Sequence, residues 1–197
     1  MNRAKKSGVG DTGRPLLRLS EDAMGLRTLA LLRQLDAACR SAGELEHAAT
    51  ESFARHADAK MITSFPGLGD LLGARVLAEL GDDHTRFADT RALKAYAGTA
   101  PLTRASGKKT SVLARRVKND RLASTGYRWS FCALTASAGA RCHYDRRRQA
   151  GNGHATALRN LNNRLIGCLH RCLQLGIPYD EATAFPLRTE TGSAQTS

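Results

Sequence analysis

The chain has 197 residues, 42% of them hydrophobic, which is enough for one real core and excludes a wholly disordered protein. Its 30 Lys and Arg against 18 Asp and Glu give a formal net charge of +12, so a polyanion is the first partner to expect. No apolar run reaches the roughly 18 residues of a membrane span, and the basic amino end lacks the apolar segment of a signal peptide, so no membrane partner is expected. Aromatic residues make up only 5%, β-branched runs are few, and Ala and Leu recur through long windows without Pro. The expected fold is all-α.

Residues 1–20 are basic and aperiodic and predict a flexible tail. Ser20-Glu21-Asp22 then reads as a helix start, with acids in the first turn. Met24, Thr28, Leu31, Leu35, Ala38, Ala42, Leu45, Ala49 and Ser52 follow an unbroken alternation of four and three. This is a coiled-coil-type seam. It fits a helical hairpin bending at Ser41-Ala42-Gly43, an arm that joins a second copy, or an ordinary surface helix. Residues 21–60 are therefore read as a coiled-coil or helical arm.

Residues 61–180 are read as a helical domain. Phe65-Pro66-Gly67-Leu68-Gly69 separates two apolar helical stretches, the second ending near Leu80. One reading is a helix-hairpin-helix, in which Gly67, Leu68 and Gly69 let backbone N–H groups grip a phosphate at a helix start. The other is a plain packing corner between helices. A short helix over 89–96 ends at Gly98 and Pro101. Next comes a Gly/Pro-broken loop with Ser106 among Arg104, Lys108 and Lys109, followed by Arg115, Arg116, Lys118 and Arg121. A hydroxyl in a basic field points to phosphodiester chemistry, although by itself Ser106 is an ordinary turn residue. A helix through Trp129, Phe131 and Leu134 follows, then a second loop with Arg146-Arg147-Arg148 and Gly151-Asn152-Gly153. The strongest helix is His154 to Leu175, with the stripe Leu158, Leu161, Leu165, Leu169, Cys172. Residues 181–197 read as a disordered tail. Cys168 and Cys172 stand four apart and Cys142 precedes His143, but buried thiols are the expectation rather than a zinc site. The cysteine pattern fits a reducing cytoplasm.

The ordered pieces from about Ile62 to Asp180 resemble the C-terminal domain of the IS-one-ten family of insertion-sequence transposases, the bridge-RNA-guided DNA recombinases. The matching residues are Phe65-Pro66-Gly67-Leu68-Gly69, Glu79-Leu80-Gly81-Asp82, Arg86-Phe87, Ala95-Tyr96-Ala97-Gly98, Ala100-Pro101, Ser106-Gly107, Arg121-Leu122, His154-Ala155-Thr156-Ala157 and Pro178-Tyr179-Asp180. The resemblance implies that Ser106 is the nucleophile of a DNA phosphodiester exchange that passes through a phosphoserine link. A serine hydroxyl needs a proton acceptor, and charge growing on the phosphate needs fixed cations. Arg104, Lys108, Lys109, Arg115, Arg116, Lys118 and Arg121 are the expected DNA-backbone contacts. The family also carries an N-terminal RuvC-like domain whose acids hold magnesium. That domain is not expected here, so no cofactor is expected within this chain. A second departure is Lys118-Asn119 where the family often has Gly-Asn.

The resemblance thus implies a transposase or recombinase that acts with a RuvC-like domain and is inactive by itself. Its partners would be DNA, a guide RNA and a second copy through residues 24–52, in a bacterial-type cytoplasm near the nucleoid. Two other readings stand beside it. One is a non-catalytic nucleic-acid-binding remnant or regulator of a full-length transposase. The other is a repair-type helix-hairpin-helix protein, which the Ser-Gly and Pro-Tyr-Asp segments disfavour.

Overall fold

The computed structural model describes the backbone of residues 13–106, 109–113 and 115–186, and the side chains of 20–102 and 115–186. The order is α1 (Gly13–Ala54), α2 (Ala59–Thr63), α3 (Asp70–Leu80), a 3-10 turn (His84–Arg86), α4 (Thr90–Tyr96), β1 (Leu102–Ser106), β2 (Lys109–Leu113), α5 (Asp120–Ala136), α6 (Ala138–Gln149), α7 (His154–Leu175) and α8 (Glu181–Ala184). The all-α expectation holds, with one two-stranded antiparallel ribbon added to it. The chain divides into two compact units, residues 1–47 and 48–197.

In the first unit α1 is continuous through Gly43, so the chain does not bend at Ser41-Ala42-Gly43. It also begins before Ser20, inside the stretch read as a flexible tail. Leu16-Leu17-Arg18-Leu19 are good helix formers, and Pro15 falls in the first turn, where a missing N–H does no harm. Met24, Leu31, Leu35 and Leu45 of the seam are all exposed.

In the second unit α7 is the central element. It packs on α4, α5 and α6, and over shorter stretches on α2 and α8. Its stripe Leu158, Leu161, Leu165, Leu169 and Cys172 is buried as the spacing predicts, and Gly176 ends the helix in the left-handed region. Phe53, at the end of α1, joins the core with Ile62, Phe65, Val76, Leu93, Leu122 and Trp129.

Two segments differ from expectation. Arg146-Arg147-Arg148 lie in the last turn of α6 rather than in a loop, where cations favour the negative helix end. Residues 181–184, read as tail, form α8. Glu181 Oε1 accepts from Ser137 Oγ at 2.6 Å and Gly139 N at 2.8 Å, while Oε2 accepts from Tyr179 O–H at 2.7 Å. Tyr179 N donates to Ser64 Oγ at 2.9 Å. A polar segment is thus docked by hydrogen bonds that composition does not reveal. Residues 1–12 and 187–197 of the two expected tails lie outside the described residues.

The turn between α2 and α3 is fastened to α5. Trp129 Nε1 donates to Pro66 O at 3.0 Å, and the Phe65 and Trp129 rings meet edge to face at 5.6 Å. Gly67 has φ 79°, and a Cβ there would lie 2.6 Å from Ala133 N. Gly67→Ala should therefore lower unfolding free energy by about 2–4 kcal/mol, from left-handed strain plus overpacking against α5 backbone. Urea denaturation measures this, and a loss under about 1 kcal/mol would show that the corner relaxes freely.

Candidate nucleic-acid interface

The Gly/Pro-broken loop expected to hold Ser106 is instead the ribbon, because residues 102–106 and 109–113 satisfy each other's backbone groups across an antiparallel ladder. Leu102 pairs with Leu113 and Ser106 with Lys109, so the serine occupies the last pair of the ladder, at the opposite end from Leu102 and Leu113. At about 3.3 Å per residue, four steps from Leu102 place it about 13 Å from the ribbon's root. The side chains of Ser106, Arg104 and Lys109, and all of Gly107 and Lys108, lie outside the described residues.

The root is tied to three helices by one asparagine. Asn119 caps α5, its Oδ1 accepting from Leu122 N at 2.9 Å. Its Nδ2 donates to Glu79 Oε2 of α3 and to Tyr96 Oη of α4, both at 2.6 Å. Its backbone N–H donates to Tyr96 O at 2.8 Å, joining the end of α4 to the cap of α5 on either side of the segment that holds the ribbon. Arg86 Nη1 donates to Glu79 O at 3.1 Å and Leu80 O at 2.9 Å, and Nη2 to Tyr96 Oη at 3.2 Å. Its guanidinium also lies over the rings of Phe87 and Tyr96. Glu79, Arg86 and Tyr96 entered the sequence reading only as matched motif residues. Here they form a positioning network.

The expected backbone contacts are placed as follows. Arg115 is half-buried at the root, and Arg116 is exposed beside it. Lys118 Nζ pairs with Asp120 at 2.7 Å. Arg121 is exposed, 4.0 Å from Glu79 Oε1. It shares an open cleft of about 490 Å³ with Arg75 and Arg128. Leu68 is buried and Gly67 abuts α5, so these two show the packing-corner arrangement. Gly69 is exposed at the N-cap of α3 with open space beside it.

A cavity of about 430 Å³ lies between α4, α6, α7 and α8. Lys94, Arg147, Arg164 and Arg171 line it, opposed by Asp180. Arg164 is held in place by donating from Nε to Ala184 O and by stacking over Phe185. Cys168 and Cys172 are pushed up by burial and stay protonated thiols near neutral pH. No group of three or more metal-ligating side chains forms among the described residues, and the carboxylates at the ribbon root are already bonded to Asn119 and Lys118. Among the described residues no helix is long and apolar enough to cross a membrane.

A helical domain that roots an antiparallel ribbon among cations matches a known family model. Residues 59–150, which span α2 to α6, match the model of the Transposase IS116/IS110/IS902 family. The chain is 58% identical to the mini-circle putative transposase for IS117 of Streptomyces coelicolor over 165 residues, 84% of this chain and 40% of that protein. It is 34% identical over 142 residues to the insertion element IS900 uncharacterized 42 kDa protein of Mycobacterium paratuberculosis, covering 72% of this chain and 36% of that protein. A 34% identity over 128 residues links it to the insertion element IS110 uncharacterized 43.6 kDa protein of Streptomyces coelicolor. The chain spans between about 30% and 40% of the length of these relatives.

The cationic cavity has a titratable marker. Burial first, then Arg147, Arg146 and Arg164, pull the His143 imidazole from its ordinary 6.5 down to about 4. The fold keeps it neutral while the unfolded chain takes up a proton, so stability should fall as pH drops from about 6.5 to about 4. Glu181 acts lower on the scale. Burial opposes its charge, but the bonds from Ser137, Tyr179 and Gly139 prevail and hold its carboxyl below 4.5. Its contribution is full above that range and is lost as pH falls through the lowered value. Thermal melts of His143→Phe should lose the slope between pH 6.5 and 4 and keep the more acidic loss. An unchanged slope would place that titration on another group.

Proposed function

We propose that this chain is the catalytic-serine part of an insertion-sequence transposase, a DNA-binding domain that presents Ser106 as nucleophile to a phosphodiester. The observation that carries the reading is the placement of Ser106 at the far end of a ribbon whose root is fixed by the Glu79-Asn119-Tyr96 network. A nucleophile on a strand with a braced root meets its phosphate at low orientational entropy. The 58% identity to a putative transposase supports the same reading.

In the proposed step the Ser106 oxygen forms a bond to phosphorus and one strand oxygen leaves. The departing oxygen takes up a proton, and the serine proton passes to a base. The link is then a phosphoserine ester that a second strand end resolves. Arg115, Arg116 and Arg121 bear on the phosphates near the root, and Arg104, Lys108 and Lys109 complete the cationic contacts to the DNA backbone. Gly69, at the open start of α3, is the part of the expected hairpin left available to a phosphate. Magnesium would be held by a RuvC-like domain, and no step here runs through it. The exposed Leu31, Leu35 and Leu45 of α1 offer a seam for a second copy, and a guide RNA would add to the polyanion load.

Incubated with element-end DNA, magnesium and a RuvC-like domain, the chain should form a covalent protein–DNA adduct. The adduct should vanish in Ser106→Ala, and an adduct that persists in that variant would sink the serine assignment. DNA retention should fall steeply with salt. Replacing Lys108 and Lys109 by Ala should flatten the log–log slope by about 1–2. An unchanged slope would remove the ribbon from the DNA footprint.

A further inference from the structure

A second cavity, of about 220 Å³, opens at the ribbon root between the segment after α4, the start of α5 and the start of α7. Its lining carries two of the buried side-chain polar atoms that lack a hydrogen-bond partner: Arg115 Nε and Asn162 Oδ1. Buried polar groups are nearly always paired, and each orphan costs about 1–3 kcal/mol. Both residues line this one cavity, and two unpaired polar groups in one lining mark a place where a ligand can complete the bonding. Asn162 is only 4% exposed. It reaches its position because α5 has Gly126 there, where a Cβ would fall inside the Asn162 carboxamide. Tyr127 presents a half-exposed ring at the rim. Arg159 and Lys118 complete the wall.

The chemistry of this lining selects the ligand. A bare phosphate would satisfy Arg115 and Arg159 but offers no donor to Asn162 Oδ1. A nucleobase edge does, because a carboxamide pairs with amino and ring N–H groups. The Tyr127 ring supplies a surface on which a base can stack. The volume lies below the ~300–1,000 Å³ of pockets for drug-sized ligands, so it suits one ring system rather than a run of bases. A base inside a duplex cannot reach such a recess.

We infer that this pocket captures a single unpaired base of the DNA strand, with Asn162 at the base edge, Tyr127 on its face, and Arg115 and Arg159 on its phosphate. The inference rests on the DNA-binding reading above and adds the state of the DNA at the site: locally unstacked next to the ribbon. Capture there would hold a strand in place while the serine end of the ribbon meets a phosphate farther along.

The test compares the full chain binding a fluorescent 12-nucleotide single-stranded DNA with binding to an abasic oligonucleotide of equal length and charge. Wild type should prefer the base-bearing strand by about 5- to 100-fold, the range of one base–aromatic stack. Tyr127→Ala and Asn162→Leu should each bring that preference close to one. Asn162→Leu should melt at or above the wild-type temperature, because it removes a buried acceptor that has no partner. A preference unchanged in Tyr127→Ala and Asn162→Leu would overturn the pocket while leaving the serine reading intact. A marked fall in melting temperature for Asn162→Leu, with Tyr127→Ala silent, would also overturn it by making Asn162 a packing residue. Stronger, equally Tyr127-dependent capture of an RNA 12-mer would overturn the assignment to DNA. Failure to bind either DNA oligonucleotide would sink the DNA-binding reading as well.

Discussion

The Asn119 side chain is the constraint on which the ribbon's position depends. Its oxygen caps α5 and its amine bonds to α3 and α4 at the same time. A partly buried carboxamide with both N–H donors used is worth more than the sum of its bonds, because any lost partner leaves others unpaired in a low-dielectric setting. The result is that residues 96 and 119, at the two ends of the ribbon segment, are drawn together at a fixed place on the helical domain. A strand ribbon of two strands has little stability by itself in water, so its orientation must come from such a root.

Behind that root the helices pack by apolar contact. Trp129 is wholly buried, and its one polar atom is satisfied by the Pro66 carbonyl. That bond pulls the Phe65–Gly69 turn against α5, where absence of a side chain at Gly67 allows backbone to meet backbone. The turn that resembles a phosphate grip is thus partly taken up by packing, and only its Gly69 end stays open. Tyr179 and Glu181 close the other side of the same core through Ser64, Ser137 and Gly139.

Charge is distributed by what the core leaves over. The α7 stripe turns Leu158, Leu161, Leu165 and Leu169 inward, so Arg159 goes to the ribbon-root pocket and Arg164 and Arg171 to the larger cavity. One helix therefore supplies cations to two separate recesses. Depression of the His143 imidazole is the electrostatic trace of the larger recess, where burial and arginine neighbours both oppose a further positive charge.

Helices with strong local signals are legible in the chain before any tertiary contact is considered. The limits of α7, the Asp89-capped α4 and the stops at Gly81, Gly98 and Gly176 follow from periodicity, capping residues and positive-φ glycines, all of which act over a few neighbouring residues. The sequence also carried the basic excess and the place of Ser106 in the chain. Only the tertiary structure decided the rest. Strand pairing of 102–106 with 109–113 is set by partners across the ribbon, and no β-branched run announced it. α8 forms because distant hydroxyl and amide groups dock Glu181. The network of Glu79, Asn119 and Tyr96, and the pocket of Arg115, Tyr127 and Asn162, join residues from different helices and segments of the chain. Such contacts leave no period or motif in the sequence, because each residue's role depends on which helix face lies opposite.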